Sequence, residues 1–352
     1  RIAEQVERYR PKAAVLSDPK SADKLEERLS ELGSDTLVWA GPDALVRLVE
    51  EIECDFVLAG IVGVAGLPAT LAAVKRGLIV GLANKESLVV AGELMVRAAA
   101  DSGARLLPVD SEHSAIYQSL QSGRQEEIER LYLTASGGPF RTWTIEQMRC
   151  AAPVDAMRHP TWNMGPKISI DSATMMNKAL EIVEAKWLFG VDPDRIEVVI
   201  HPESIIHSMV AFCDGSIVAQ MGRPDMRTPI QYAMTHPHRL TGCGERLDFS
   251  QLQRMHFEPP DPARFPSLKL GHEVAKLGGT AGAAMNAANE AAVEAFRNER
   301  IGFLEIVPMV EEVVKSHLTA DRPGAFDTRP DLTTLMAVDA WARRAIAQCC
   351  TV

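Results

Sequence analysis

Short apolar runs alternate with segments of helical periodicity through the first 110 residues. The apolar runs predict β-strands at 13–17, 36–40, 56–59, 78–83 and 105–109. Helices are predicted between these strands, and Ser21 is predicted to cap the first of them. Such alternation is typical of a parallel sheet with helices on both faces, whose ligands bind beyond the carboxyl ends of the strands. We therefore predict an α/β domain at 1–110.

The pattern changes after residue 110 and predicts two further domains. Strands are predicted at 128–134, 196–200, 205–212 and 216–221, with a long helix at 173–188 and a hairpin turn at Asp214-Gly215. This mixture predicts a central α+β domain at 111–235. A segment rich in Pro and Gly follows at 236–262, and helical periodicity alone continues over 263–352. We expect a connecting segment and then a C-terminal helical domain.

Composition narrows the class of protein. The chain has 352 residues with a net charge of −10, so nucleic acid is not an expected partner. Apolar runs are too short to span a membrane, and the six cysteines form no CxxC pair, which favours a reducing compartment. Because the chain begins with Arg1 rather than Met, we expect that the native N-terminus lies upstream.

Two carboxylates follow the strand predicted at 105–109. Asp110 and Glu112 are two residues apart, and extended backbone would place them on the same side. Neighbouring carboxylates repel each other, which favours a divalent cation or a raised pKa. The alternative is a polar loop with a helix cap at Asp110 or Ser111.

A second cluster lies in the segment 171–181. A helix that begins near Ser172 would place Asn177, Lys178 and Glu181 on one face and would offer its N-terminus to an anion such as phosphate. Glu181 could then reach the Asp110/Glu112 pair, and oxygen ligands suit Mg²⁺ or Mn²⁺. The alternative is a Lys–Glu pair on the surface of an amphipathic helix.

Three shorter segments carry weaker signals. Ser136 and the two glycines after it could approach a phosphate, although an ordinary turn explains them equally well. The loop 155–166 could be a lid that closes over substrate with Trp162 and Met164, or a loop whose Trp packs on the core. We interpret His201 and His207 as structural.

Taken together and in order, these segments resemble 1-deoxy-D-xylulose 5-phosphate reductoisomerases of the methylerythritol phosphate pathway. The matching motifs are ANKESL at 83–88, PVDSEH at 108–113, SGGPF at 136–140, HPTWNMG at 159–165, IDSATMMNKALE at 170–181, PDMRTP at 224–229 and NAANE at 286–290. The resemblance implies an α/β fold with an N-terminal Rossmann-like NADPH-binding domain, a central catalytic domain and a C-terminal helical domain.

The resemblance also implies roles for individual residues. The divalent-metal ligands would be Asp110, Glu112 and Glu181, and the phosphate would contact Ser136, Ser172, Asn177 and Lys178. The sugar oxygens would contact Lys85, Ser111 and His159, and the lid would include Trp162 and Met164. NADPH would contact Asn84, Glu86 and Gly165, and the catalytic residues would be Lys85, Glu112 and His159.

The implied activity is NADPH-dependent rearrangement and reduction of 1-deoxy-D-xylulose 5-phosphate to 2-C-methyl-D-erythritol 4-phosphate. Mg²⁺ or Mn²⁺ is the expected metal, with Co²⁺ a further candidate. The expected partner is the small-molecule sugar phosphate, with no nucleic acid and no membrane. A homodimer in the bacterial cytoplasm or the plastid stroma is expected from the family alone.

The sequence departs from the family pattern at two places. The Gly-x-Thr-Gly-x-x-Gly turn that binds the NADPH pyrophosphate is not present, so the first βα unit of the Rossmann-like domain is missing from this sequence. Glu203 stands where we expect a glutamine, and it would need a partner or a raised pKa if buried. The alternatives are another Rossmann-type dehydrogenase and a non-catalytic protein that retains only metabolite binding.

Overall fold

The computed structural model describes residues 1–159, 161–162, 164–242, 244–252, 254–319 and 325–350. Its N-terminal part alternates strands with helices. The strands are β1 (Ala13–Leu16), β2 (Leu37–Ala40), β3 (Phe56–Ala59), β4 (Ile79–Leu82) and β5 (Arg105–Pro108). The helices are α1 (Ile2–Tyr9), α2 (Pro19–Glu31), α3 (Ala44–Glu51), α4 (Leu67–Lys75) and α5 (Glu86–Ser102). The predicted strands are confirmed to within one or two residues.

All strand pairs in this part are parallel, as predicted. Their hydrogen bonds form two ladders within the described residues, β1 with β2 and β3-β4-β5, rather than one continuous sheet. The carboxyl ends of β4 and β5 lead directly into Lys85 and Asp110.

The cap of α2 differs from the prediction. Asp18 is the N-cap, and its Oδ2 accepts a hydrogen bond from the backbone N–H of Ser21 at 3.0 Å. Pro19 occupies the first turn, where the missing N–H costs nothing because that group has no helical partner. Ser21 therefore lies inside the first turn, and its prediction as the cap is wrong.

The central part is built on a mixed sheet in the order β7-β6-β8-β9. Its strands are β6 (Ile128–Ala135), β7 (Ile196–Ile200), β8 (Ile206–Phe212) and β9 (Ile217–Met221). β6 pairs with β7 in parallel and with β8 antiparallel, and the β8–β9 hairpin turns at Asp214-Gly215, where Gly215 has φ 84°. The predicted hairpin is confirmed.

The helices of the central part include two that the sequence predicted as one. They are α6 (Ser111–Ser119), α7 (Ile145–Arg149), α8 (Pro153–Ala156), α9 (Pro166–Ala173), α10 (Met176–Phe189) and α11 (Arg227–Thr235). Met175 adopts a left-handed conformation with φ 58° and separates α9 from α10. The single helix predicted from near Ser172 is therefore wrong, and Ser172 lies in the last turn of α9 rather than at a helix N-terminus.

The C-terminal part is helical, as predicted. Its helices are α12 (Ser267–Leu277), α13 (Ala281–Arg297), α14 (Ile306–Thr319) and α15 (Leu332–Cys349). α13 is rich in alanine and packs against α5, α9, α14 and α15. A Cβ on Gly282 of this helix would lie 2.0 Å from the carbonyl oxygen of Val89 in α5, so the absence of a side chain there lets the two helices approach closely.

One hydrophobic cluster runs through all three parts. It joins Leu88 of α5 and Leu180 of α10 to Ala287 of α13 and Leu335 of α15. This shared core fixes the carboxyl ends of β4, β5 and β6 relative to α9 and α10. Within the described ranges, none of the helices combines the length and the apolar character that crossing a bilayer requires. The predicted domain boundaries remain predictions.

Candidate active site

A cavity of about 250 Å³ opens where β4, β5 and β6 end and where α9 meets α10. It collects most of the residues that the sequence singled out. These lining residues are Lys85, Asp110, Ser111, Glu112, Ser136, His159, Trp162, Met164, Ser172, Asn177 and Lys178. Glu181 lies beneath the cavity floor with its side chain fully buried. Pro160 and Asn163 of the predicted lid lie outside the described residues.

Three carboxylates converge at this floor. Asp110 is the N-cap of α6, where its Oδ1 accepts a hydrogen bond from Ser111 N at 2.9 Å, and Glu112 lies in the first turn of the same helix. Oxygens of Asp110, Glu112 and Glu181 lie within 4.8 Å of one another. The extended backbone that we assumed for Asp110 and Glu112 is wrong, since helix capping and carboxylate clustering occur together here.

Two lysines hold the carboxylates. Lys85 Nζ lies 2.5 Å from Asp110 Oδ2, 2.8 Å from Asn177 Oδ1 and 3.3 Å from Glu181 Oε1. Lys178 Nζ lies 2.7 Å from Glu112 Oε1 and 2.5 Å from Glu181 Oε2. The predicted helix face of Asn177, Lys178 and Glu181 is confirmed, but it is buried rather than a solvated surface pair.

The charges of this group do not balance, because three carboxylates face two lysines. Burial and the neighbouring Glu112 raise the pKa of Glu181 to about 7, although Lys178 and Lys85 oppose the shift. Burial also disfavours the charged form of Lys85, but Asp110 and Glu181 hold the pKa of Lys85 well above its usual range. The surplus negative charge is what a divalent cation would neutralise.

His113 supports the cluster from below, and no feature of the sequence signals this role. Its Nε2 lies 3.0 Å from the backbone oxygen of Glu181, and its Nδ1 lies 3.1 Å from Glu184 Oε2. Burial lowers the pKa of His113, but the carboxylates of Glu184, Glu181 and Asp110 together outweigh it and raise the pKa to about 9. The imidazolium therefore forms an ion pair with Glu184 and donates from Nε2 to Glu181 O, which orients Glu181 through its backbone.

Ser136 and His159 both line the cavity and are joined by a hydrogen bond. His159 Nδ1 accepts hydrogen bonds from the backbone N–H groups of Thr161 and Trp162, at 3.1 and 2.9 Å. The ring proton must then be on Nε2, which donates to Ser136 Oγ at 2.9 Å. Burial lowers the pKa of His159, which favours this neutral form. The Ser136 hydroxyl hydrogen is left to point into the cavity.

Gly138 sets the distance between Ser136 and α9. It has φ 68°, and a Cβ at this position would lie 2.4 Å from the backbone oxygen of Ser172. Only glycine allows this close approach. The paired glycines after β6 therefore bring Ser136 and Ser172 to the same wall of the cavity.

The predicted cofactor residues lie beside the cavity rather than among its described lining residues. Asn84 Nδ2 donates to the backbone oxygens of Ile61 and Gly63, and Asn84 Oδ1 accepts from Ser87 N at 2.9 Å. Glu86 Oε1 lies 3.0 Å from Lys167 Nζ. Gly165 is the N-cap of α9 and has open space at its Cβ position.

Two residues further along the chain change the sequence-based interpretation. His207 of β8 lines the cavity, so our purely structural interpretation of it misses a candidate site residue. An ionisable residue in an otherwise apolar strand was the available signal.

Glu203 finds partners in His201 and His256, and these interactions outweigh partial burial and lower its pKa. Of the two alternatives considered for Glu203, a partner or a raised pKa, the structure shows the partner.

Profiles of one enzyme family match most of the chain. Residues 1–92 match the family described as 1-deoxy-D-xylulose 5-phosphate reductoisomerase, and 106–189 and 221–345 match two C-terminal domains of the same enzyme. The 1-deoxy-D-xylulose 5-phosphate reductoisomerase of Heliobacterium modesticaldum is 48% identical over 340 residues, which cover 97% of this chain and 85% of that relative.

The chain belongs to the 1-deoxy-D-xylulose 5-phosphate reductoisomerase family. A solved reductoisomerase from Zymomonas mobilis in complex with NADPH is 46% identical, with a TM-score of 0.90 over 99% of this chain and 88% of that one. Another, solved with NADPH, fosmidomycin and magnesium, is 39% identical with a TM-score of 0.92 and the same coverage. The predicted family, fold class and enzyme class are confirmed, and an unrelated Rossmann-type dehydrogenase is excluded.

Within this reductoisomerase, the carboxylate cluster falls in one matched region. Asp110, Glu112 and Glu181 all lie inside residues 106–189. Glu203 lies between the matched regions 106–189 and 221–345.

Proposed function

We propose that this reductoisomerase converts 1-deoxy-D-xylulose 5-phosphate to 2-C-methyl-D-erythritol 4-phosphate, with NADPH and a divalent metal, in non-mevalonate isoprenoid precursor biosynthesis. The observation that carries the proposal is the cluster at the floor of the cavity, in which Glu181 is buried and Asp110 and Glu112 are partly buried. Its position beyond the ends of parallel strands is where ligands of such sheets bind.

We assign the metal to these three carboxylates. Their oxygens already lie within 4.8 Å of one another, and the cluster has one more carboxylate than lysines to neutralise it. An oxygen-only donor set fits Mg²⁺ or Mn²⁺, with Co²⁺ a further candidate. When bound, such a cation supplies Lewis acidity to the substrate oxygens. Lys85 and Lys178 would have to withdraw from the carboxylates to make room, and each could then turn toward an anionic substrate.

We assign the substrate phosphate to Ser136, Ser172, Asn177 and Lys178. Ser136 has a hydroxyl hydrogen to donate, because its oxygen already accepts from His159 and from Gly138 N. Lys178 retains its positive charge, since Glu112 and Glu181 raise its pKa in spite of burial. Hydrogen bonds to a charged phosphate are stronger than those between neutral groups. The phosphate would thereby supply binding energy remote from the reacting carbons.

We assign Lys85, Glu112 and His159 to the reacting part of the sugar. Lys85 carries a positive charge that would stabilise an oxyanion as it develops. The Ser111 hydroxyl donates to Glu112 and keeps that carboxylate in place. The Nε2–H of neutral His159 donates to Ser136, so it would have to exchange this contact for a sugar oxygen when substrate binds. Trp162 and Met164 on the same loop would exclude water.

We assign NADPH to the side of the cavity formed by Asn84, Glu86 and Gly165. Asn84 holds the loop that carries Ile61 and Val62, whose side chains are 41% and 62% exposed at the carboxyl end of β3. An exposed apolar loop at a sheet end fits the flat face of a nicotinamide ring. When bound, NADPH supplies the hydride, and the task of these residues is its placement.

We further propose a homodimer located in the bacterial cytoplasm or the plastid stroma. β9 is an edge strand with Ile217 exposed, and Phe249 and Met234 are exposed elsewhere on the surface. Scattered apolar residues do not by themselves mark an interface, so the dimer rests on membership of the family. Sedimentation equilibrium would give twice the chain mass, whereas a single-chain mass at micromolar concentration would contradict the dimer.

The test of the activity is NADPH oxidation by this chain with 1-deoxy-D-xylulose 5-phosphate and Mg²⁺ or Mn²⁺, before and after treatment with a chelator. We expect oxidation that requires both substrate and metal. Turnover that survives complete removal of metal would contradict the role of Asp110, Glu112 and Glu181. If turnover is absent, binding of the substrate to the metal-loaded protein, measured by calorimetry, separates a cofactor defect from a wrong substrate assignment.

A further inference from the structure

Lys167 is a partly buried cation outside the cavity, and the proposed mechanism does not use it. It is the second residue of α9, directly after the loop that carries Trp162 and Met164. Its Nζ lies 3.0 Å from Glu86 Oε1 and 2.8 Å from Asp171 Oδ2. The Lys167 side chain is 19% exposed, and those of Glu86 and Asp171 are 6% and 1% exposed.

These contacts link separate parts of the molecule. Glu86 begins α5 and is adjacent to Lys85, while Asp171 is adjacent to Ser172 in α9. The second oxygen of Asp171 accepts a hydrogen bond from Asn289 Nδ2 of α13 at 2.8 Å. One ammonium group therefore connects α5 with α9 and, through Asp171, with α13. The two carboxylates that it contacts are each adjacent in sequence to a residue that lines the cavity.

Separating Lys167 from Glu86 and Asp171 would cost free energy. A single cation lies between two buried carboxylates, and no other cation of the described residues forms an ion pair with either of them. Its removal would leave both without a direct counter-ion. An intrahelical Lys–Asp pair four residues apart would stabilise α9 alone. The contact with Glu86 goes further, because it comes from a different helix and is 81 residues away in the sequence.

We propose that Lys167 is a positioning residue that ties the first turn of α9 to the first turn of α5. It would thereby keep Trp162 and Met164, two described residues before α9, in register with Lys85. The inference rests on the roles proposed above for the 155–166 loop and for Lys85. The loop would thus be anchored before substrate arrives, which reduces the cost of ordering it on binding.

The loop itself offers a direct probe that needs no catalysis. Arg158 is exposed in the loop, so trypsin cleavage after Arg158 reports on loop opening. In Lys167→Met without cofactor or substrate, we expect cleavage after Arg158 to be roughly tenfold faster. The matched control is Lys269→Met, which removes an exposed lysine paired with Glu273 at the same four-residue spacing and should leave cleavage unchanged.

Steady-state kinetics separates positioning from a general structural effect. Lys167→Met should raise KM for the sugar phosphate by about tenfold, with a smaller loss in kcat, because the loop must be ordered anew on each binding event. Lys167→Arg keeps the positive charge. Its KM and its rate of cleavage after Arg158 should therefore lie close to those of the unaltered protein.

A folded Lys167→Met with unchanged cleavage after Arg158 would overturn the inference. If this variant does not fold, Glu86→Gln decides, because it leaves the Lys167–Asp171 pair within α9 and breaks only the charged link to α5. Faster cleavage in Glu86→Gln supports the inference, and an unchanged rate overturns it. Because cleavage requires no turnover, failure of the proposed activity would be recognised separately.

Discussion

Substitution of Gly138 by alanine should weaken substrate binding without unfolding the protein. The added Cβ would lie 2.4 Å from the Ser172 carbonyl oxygen, whereas ordinary contact begins at 3.4 Å. The last turn of α9 must therefore shift by about 1 Å, and Ser172 moves with it. A misplacement of about 1 Å in a site can cost up to about 100-fold in rate.

The left-handed backbone adds a separate cost that must be controlled. Gly138 has φ 68°, and alanine in this region costs about 1–2 kcal/mol. Gly103 has φ 76°, and a Cβ added there would have no atom within 4 Å, so Gly103→Ala isolates the backbone cost. Both variants carry this backbone cost, and Gly138→Ala should lose further thermal stability through its contact with Ser172 O. Only Gly138→Ala should lose substrate affinity.

The assay is the KM for 1-deoxy-D-xylulose 5-phosphate at saturating NADPH and metal, together with the midpoint of thermal unfolding. We expect KM to rise between about tenfold and 100-fold in Gly138→Ala and to stay within about twofold in Gly103→Ala. A KM within about twofold of the unaltered enzyme in Gly138→Ala would refute the idea that this close approach sets the phosphate site.

Three further predictions concern the metal, the phosphate and the core. Glu181→Gln should lower kcat at least about 100-fold at any Mg²⁺ concentration, because it removes a proposed ligand. The metal-free variant should unfold at no lower temperature than the unaltered protein, because the surplus negative charge is gone. Calorimetric titration with Mg²⁺ checks the first part, and a melting curve checks the second. Ser136→Ala should raise KM about tenfold through loss of one hydrogen bond to a charged group, with kcat nearly unchanged; an unaltered KM would contradict the phosphate assignment. Gly282→Ala should destabilise the fold by roughly 1–3 kcal/mol, because its Cβ would lie 2.0 Å from Val89 O; urea unfolding measures this loss.

Much of the local structure could be predicted from the sequence. The period of apolar residues located β3 and β7 to the residue, and it indicated the helical character of the C-terminal part. Helical spacing alone put Asn177, Lys178 and Glu181 on one face. These features depend on neighbours within one or two turns, so the local sequence carries the information. The order of short motifs was enough to indicate the family.

The tertiary structure decided which of the competing interpretations applies. Met175 breaks the predicted helix with a left-handed conformation, although a run such as Met175-Met176-Asn177 has no residue that signals a break. Asp110 is both a helix cap and a member of the carboxylate cluster, so the two alternatives for it were not exclusive. Local propensity could not distinguish these outcomes because packing of α9 and α10 against neighbouring elements imposes them.

Apart from the approach of Glu181 to Asp110 and Glu112, contacts between distant residues were not predicted from the sequence. Lys85 meets Asn177 across 92 positions, and Lys167 meets Glu86 across 81. His207 lines the cavity and His113 lies beneath it, and both positions depend on the elements packed around these residues. The sequence around a charged residue does not indicate its partner, because the pairing depends on which helices the shared hydrophobic core brings together. The sequence therefore determined the elements and the chemistry available, and the packing of α5, α9, α10 and α13 decided which charges neutralise one another.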